Sequence, residues 1–301
     1  MRRRTLTAAL LATLALAGAC GDDTTDVATD PQAPAPAVGE EEVPQRIVSL
    51  SATATEVLFA IGAGEQVVAV DEQSNFPPEA PTTDLSGFTP NLEAITTYQP
   101  DLVVLSDDRA ELVTGLDTLG IETIVNDAAV TLDDTYDQIA ELGIVTGHED
   151  EAAELVADMR GDIDALAAEV PERPEPLTYY HELDDTLYSV TSETFVGEIY
   201  SLAGLESVAD AADPTGEFGG YPQLSPELLV DADPDFIFLA DTKCCGQSAE
   251  TLSQRPGFDA LTAVAEDRVI ELDDDIASRW GPRVVDLLRT VVEATAAVPA
   301  A

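Results

Sequence analysis

The stretch HEDEAAELVADMRGDIDALAAEV, residues 148–170, decides how the rest of the chain is read. Leu155, Val156, Met159, Ile163 and Leu166 recur at helical spacing while acids fill the opposite face, which predicts one long amphipathic helix. The PERPEP that follows cannot continue it. On the N-terminal side, short β-branched runs alternate with helical segments: IVSL, TEVLFAIGAG, VVAV, LEAITTYQ, DLVVLS, ELVTGLDTLG, ETIVN. The alternation resumes after Pro176 with LTYYHEL, FVGEIYSLAG, SPELLVDA, DFIFLAD, a helix near Ala249 to Ser253, RVIEL, and a last helix from Pro282 to about Ala296. Such alternation predicts α/β units around mainly parallel sheets. The expected organisation is an N-terminal α/β lobe over 45–147, a linking backbone helix over 148–170 and a C-terminal α/β lobe over 171–301.

The two blocks repeat each other. NLEAITTYQPDLVVL (91–105) and SPELLVDADPDFIFL (225–239) share a Glu at the second helical position, a Pro-Asp after it and a strand immediately afterwards. Glu93 thus matches Glu227, Pro100 matches Pro234, and Asp101 matches Asp235. A fainter echo pairs LFAIGAGE with IYSLAGLE. Repetition at this spacing implies a duplicated lobe rather than a solenoid.

The beginning of the chain gives an expected compartment. Arg2, Arg3 and Arg4 precede an apolar run from Leu6 to Ala17, too short to span a bilayer, and the run ends in Ala-Gly-Ala-Cys at Cys20. This resembles a bacterial lipoprotein signal over 1–20, with Cys20 as the lipidated residue, although Ala17 stands where that pattern prefers Leu. Residues 21–44, rich in Asp, Thr, Pro, Ala and Glu, read as a disordered tether.

Acids outnumber bases 59 to 13 over 301 residues, a formal net charge of −46. Such a surface repels nucleic acid and anionic headgroups, so membrane attachment has to be covalent. Net charge bears on solubility more than on fold. His148 and His181 are the only histidines, and no G-x-S-x-G elbow, H-E-x-x-H pair or P-loop occurs. An enzyme is therefore not expected. A bare divalent-metal receptor would need several convergent His and carboxylates, and His181 alone is near a cleft.

The opening RIVSLSATATEVLFAIGAGEQVVAVDEQSNFPPEA (46–80), followed by NLEAITTYQPDLVVL, resembles the helical-backbone class of ABC-importer solute-binding proteins. The resemblance covers about residues 45–298, and the motif layout is closest to that of the cobalamin-binding members. It implies two Rossmann-like lobes joined by a single long helix, no catalysis and no resident cofactor. It further implies a monomer at the outer face of the cytoplasmic membrane, delivering cargo to a permease dimer with its ATPase. The implied cargo is cobalamin, a ferric siderophore or, alternatively, haem. A sensor that keeps the fold without a transporter is a further reading.

The same resemblance implies site residues. Glu93 and Glu227, each behind an N-cap (Asn91, Ser225), are adequately explained by the helix dipole; the resemblance gives them permease-docking roles. Ser51 is placed to cap a helix, and Thr53 with Glu56 has capping-box spacing. The cleft should lie at the C-terminal ends of the strands. The loops DEQSNFPP and SGFTPN would bring Gln73, Phe76 and Phe88 to it, and YYHELDD would bring Tyr180, His181 and Glu182. Tyr221 falls where the cobalamin binders have a cleft aromatic. In LDDDIASRWGPRVV, Asp275, Arg279 and Trp280 hold ligand-contact positions, Arg279 being expected to meet an anionic ligand group or Asp275 itself, while Arg283 is expected to pair with Asp286. Cys244 and Cys245, adjacent in KCCGQ, are either a vicinal disulfide or soft metal ligands; the resemblance is silent on them.

Overall fold

The computed structural model describes residues 43–299. The signal, Cys20 and nearly all of the tether lie outside them. Pro44, read as the tether's end, is buried, and its carbonyl accepts from Gln66 Nε2 at 2.9 Å.

The strands are β1 (Ile47–Leu50), β2 (Val67–Asp71), β3 (Thr82–Leu85), β4 (Leu102–Leu105), β5 (Glu122–Val125), β6 (Leu177–Glu182), β7 (Leu205–Ser207), β8 (Phe236–Leu239) and β9 (Val269–Glu271). The first five form a parallel sheet of order β3-β2-β1-β4-β5, and the rest a parallel sheet of order β7-β6-β8-β9. Apart from β3, the two orders superimpose, as the sequence repeat implies. β1, β4 and β8 are buried along their whole length, which is why they read as apolar runs, interrupted only by Ser49 in β1. The short, polar β3 and β7 carry no such signal and were not anticipated.

Helices α1 (Ala52–Ala60), α2 (Leu92–Thr96), α3 (Leu112–Thr118) and α4 (Leu132–Thr146) belong to the first half, and α5 (Glu149–Glu169) follows it. The second half adds α6 (Phe195–Leu202), α7 (Pro226–Ala232), α8 (Thr242–Cys245), α9 (Ala249–Ser253), α10 (Thr262–Ala265), α11 (Asp274–Ala277) and α12 (Val284–Ala296). At 1.5 Å per residue α5 is roughly 30 Å long, and it is unbroken, burying Ala152, Met159, Ile163 and Leu166. α4 turns back into α5 through Gly147 in the left-handed region (φ 75°). The two helices cross tightly: a side chain at Gly143 would meet Ala152 Cβ at 2.4 Å. A single core includes side chains from β1, α1, α4 and α5 and from β6, α6, β8 and α12, so the halves share one interior. α12 begins at Val284, so Pro282 precedes the helix rather than opening it.

The repeated Pro-Asp acquires a physical reason. Asp101 accepts from Gln45 N and Arg46 N at 2.8 and 2.9 Å, just ahead of β1; Asp235 accepts from Thr178 N at 2.9 Å, in β6. In each half this carboxylate ties down the start of the central strand, satisfying backbone donors that the ladder leaves open.

Tyr180 and His181 are not cleft residues. They lie on β6, a central strand covered on both faces, and both are fully buried. His181 Nδ1 meets Tyr200 Oη at 2.8 Å, and burial pushes the imidazole down to about 4, so it is neutral. Glu182 is equally buried and takes both terminal nitrogens of Arg255 at 2.6 Å.

Beside that pair stands Asp241, fully buried, with neither carboxylate oxygen hydrogen-bonded. Burial first, and then the Glu182 charge, push its carboxyl up to about 7. The folded protein therefore keeps a proton that the unfolded chain releases near 3.8. The folded state is the better proton binder between these values, so the contribution of Asp241 to stability falls as pH rises through this window. Asp241→Asn, which mimics the protonated form, should flatten the decline of Tm between about pH 4 and pH 7; an unchanged slope in a thermal melt series would show that Asp241 does not set it.

Candidate functional site

A cleft of about 210 Å³, open to solvent, sits at the C-terminal ends of the first sheet's strands, where open parallel sheets place their crevices. Four of the five strand ends contribute: Ser51 to Thr53 after β1, Asp71 at the end of β2 with Gln73 beyond it, Gly87 and Phe88 after β3, and Ser106 and Arg109 after β4. The opposite wall comes from the second half, through Asp275, Ser278, Arg279 and Trp280. Five of the residues expected at the cleft, Gln73, Phe88, Asp275, Arg279 and Trp280, are thus brought together. Tyr221 is exposed, yet it stands outside the lining, on a loop folded around Asp213, which accepts from Phe218 N and Gly220 N.

The walls are joined by a buried ion cluster. Glu56, on α1 and only 3% exposed, accepts from Arg279 Nη1 at 2.8 Å and from Arg283 Nε and Nη2 at 2.8 and 2.5 Å. Arg279 also donates to Gln73 O, Asn75 Oδ1 and Asp275 Oδ1. Arg283 lies 4.3 Å over the Phe76 ring. This corrects two expectations. Ser51 caps α1 as expected, accepting from Ala54 N, but Thr53 and Glu56 form no capping box, and Glu56 turns toward the arginines instead. Arg283 pairs with Glu56 across the halves rather than with Asp286. Arg279, with its donors committed, positions the wall more than it offers charge to a ligand.

Trp280 is held by its own bond, Nε1 to Gln138 Oε1 at 2.9 Å, and its carbonyl accepts from Thr135 Oγ1 at 3.0 Å, both partners on α4. On the floor, Asp71 accepts from Ser74 N and Oγ at 3.0 and 2.7 Å; burial outweighs these bonds and holds its carboxyl above the usual range. Gly87 is needed beside it, since a Cβ there would lie 2.6 Å from Leu50 O and 2.9 Å from Asp71 Oδ2. Asp71, Ser106, Arg109 and Ser278 were missed, because single polar residues in loops leave no periodic trace.

Behind the second wall, Cys244 and Cys245 are disulfide-bonded at the exposed end of α8. Asp274 accepts from the backbone N–H groups of Thr242, Lys243 and Cys244 at 2.8–2.9 Å. Lys243 Nζ reaches Asp273 at 2.5 Å and Asp275 at 2.9 Å. Burial opposes ionisation of Asp275, but the bond from Lys243 and the Arg279 charge outweigh it and hold the carboxyl low. Among the described residues no group of three or more His, Cys, Asp or Glu is arranged to hold a metal ion, and no helix is long and apolar enough to cross a membrane.

Glu93 and Glu227 are exposed in the first turns of α2 and α7, behind Asn91 and Ser225, whose side chains accept from Ala94 N at 3.0 Å and Leu228 N at 3.1 Å.

Two parallel α/β lobes, a continuous helix between them and a cleft walled by both define a solute-binding protein of the helical-backbone class. The chain belongs to the periplasmic binding protein family, whose model matches residues 47–276. It is 28% identical over 259 residues to an uncharacterised ABC transporter substrate-binding lipoprotein, YvrC, of Bacillus subtilis, covering 83% of this chain and 79% of that one. It is 29% identical over 275 residues to a cobalamin-binding protein of Halobacterium salinarum, covering 88% and 73%. The periplasmic haem-binding protein RhuT of Roseiflexus sp. RS-1 superimposes with a TM-score of 0.71 at 25% identity, over 83% of this chain and 99% of that one.

Proposed function

We propose that this chain is the extracytoplasmic binding component of an ABC importer, lipid-anchored through Cys20, and that its cargo is a coordinatively complete metal chelate, a corrinoid or a ferric siderophore. The cleft's donor set carries this reading. Its lining is hydroxyl, amide, carboxylate, guanidinium and two aromatic faces, Phe88 and Trp280. That set suits a bulky chelate gripped by stacking and by hydrogen bonds to its edge. Haem asks instead for an axial imidazole, phenolate, thiolate or thioether, and the lining consists of other groups. The likeness to a cobalamin-binding protein and to a substrate-binding lipoprotein supports the cargo and the anchor. Glu93 and Glu227, equivalent carboxylates on equivalent helices, suit a two-fold permease whose docking surface carries arginines. Capture and delivery need no chemistry from this chain; the buried Glu56 cluster and α5 restrain the lobes, so closure is small.

Calorimetric titration of the full chain with cyanocobalamin, ferric desferrioxamine and haemin tests the reading. Saturable binding of one of the first two is expected. Haemin binding with the spectral shift of axial ligation, or no binding of any chelate, would overturn it.

A further inference from the structure

We infer that Arg109 is a specificity-determining residue of the cleft, placed to hold the phosphodiester that a complete corrinoid carries beside its macrocycle. The assignment rests on the cleft being a chelate site. Two arginines line the cleft. Arg279, its side chain 8% exposed, spends its donors on Glu56, Gln73, Asn75 and Asp275. Arg109 differs on both counts. Its side chain is 49% exposed, and among the described residues it makes one hydrogen bond, from Nε to Asp107 Oδ2 at 2.7 Å. Both terminal amino groups are left for a ligand.

The guanidinium stands 5.6 Å from the centroid of Phe88, the most exposed large apolar side chain of the described residues at 64%. A flat apolar ring and a forked cation thus share one ledge of the cleft. The chain turns sharply directly after Arg109: Ala110 and Glu111 are consecutive non-glycine residues in the left-handed region, φ 56° and 54°. L-residues adopt that conformation at a cost, and such outliers gather at ligand clamps.

The chemistry narrows the anion. A guanidinium fork matches two oxygens of a phosphate or carboxylate. Asp71, Asp107 and Asp275 surround the cleft, in a chain of net charge −46, so a polyanionic ligand is repelled. What fits is a macrocycle with a neutral, amide-bearing edge that stacks on Phe88 and Trp280 and brings a single negative charge to Arg109. A corrinoid with its nucleotide loop has that form, and the same corrin without the loop lacks the phosphodiester.

The test compares cyanocobalamin with dicyanocobinamide, the loopless corrin, by calorimetry on the full chain. Wild type should bind cyanocobalamin about tenfold more tightly, the scale of one charge-assisted hydrogen-bonded contact. Arg109→Ala should lose about tenfold for cyanocobalamin and under about twofold for cobinamide, erasing the preference. Arg109→Lys should restore part of it. Asp107→Asn, which releases the guanidinium from its carboxylate, should strengthen binding of cyanocobalamin alone. Equal losses for both corrins, or no preference in wild type, would overturn the assignment while leaving a corrinoid cargo intact. Binding of a ferric siderophore with neither corrin would overturn it and leave the chelate reading standing; binding of no chelate would remove both.

Discussion

Replacing Glu56 by alanine should lower the unfolding free energy by about 3–5 kcal/mol, because it strands two guanidiniums in a site built for a shared carboxylate. Both arginines are largely enclosed, with side chains 8% and 17% exposed, and Glu56 takes three of their N–H groups. Removing one partner of a buried cluster costs more than the cluster contributes, since the surviving charges stay desolvated. For a chain of this size the loss corresponds to a fall in Tm on the order of 10 °C. A single transition is expected, because one core includes side chains from both lobes. Glu56→Gln, which keeps the shape and an acceptor, should lose less. A denaturant melt in which Glu56→Ala loses under about 1 kcal/mol would mean that water already reaches the cluster.

The double charge reversal Glu93→Arg with Glu227→Arg should abolish uptake by the assembled importer while ligand affinity stays within about twofold, a shift below about 0.5 kcal/mol. Neither carboxylate lines the cleft. Each is exposed in the first turn of a capped helix, so the fold forfeits only about 0.3–1 kcal/mol of dipole interaction per site. Restoring uptake with a permease whose facing arginines are changed to glutamate would fix the pairing. Should affinity fall in step with uptake, the two residues belong to the cargo site or to the fold, and the docking role is wrong.

The architecture was readable because it is written in local patterns. The 3.6-residue stripe of α5 and the apolar runs of β1, β4 and β8 are properties of neighbouring residues. So is the repeated Glu…Pro-Asp. The site was readable only where a wall follows the same order: Gln73 and Phe88 sit just beyond strands, and Asp275 to Trp280 just before the last helix. The brace between Glu56 and its arginines joins residues 223 and 227 positions apart, and no window of sequence can show it. Tyr180 and His181 were misread for a related reason. A polar run at a strand end looks exposed, and only the sheet order reveals that β6 is flanked by β7 and β8 and covered on both faces. Tyr221 is solvent-facing, as a loop tyrosine should be, but chain folding places it beyond the cleft lining.

The bond between Cys244 and Cys245 has a consequence for what such a carrier does to its cargo. Ferric and cobalt centres accept electrons from thiolates, and soft metals are captured by them. Here both sulfurs are tied to each other beside the Lys243–Asp275 wall, and they are the only cysteines among the described residues. With that bond closed, the loop offers no thiolate that could reduce the metal of the proposed chelate or strip it from its chelator.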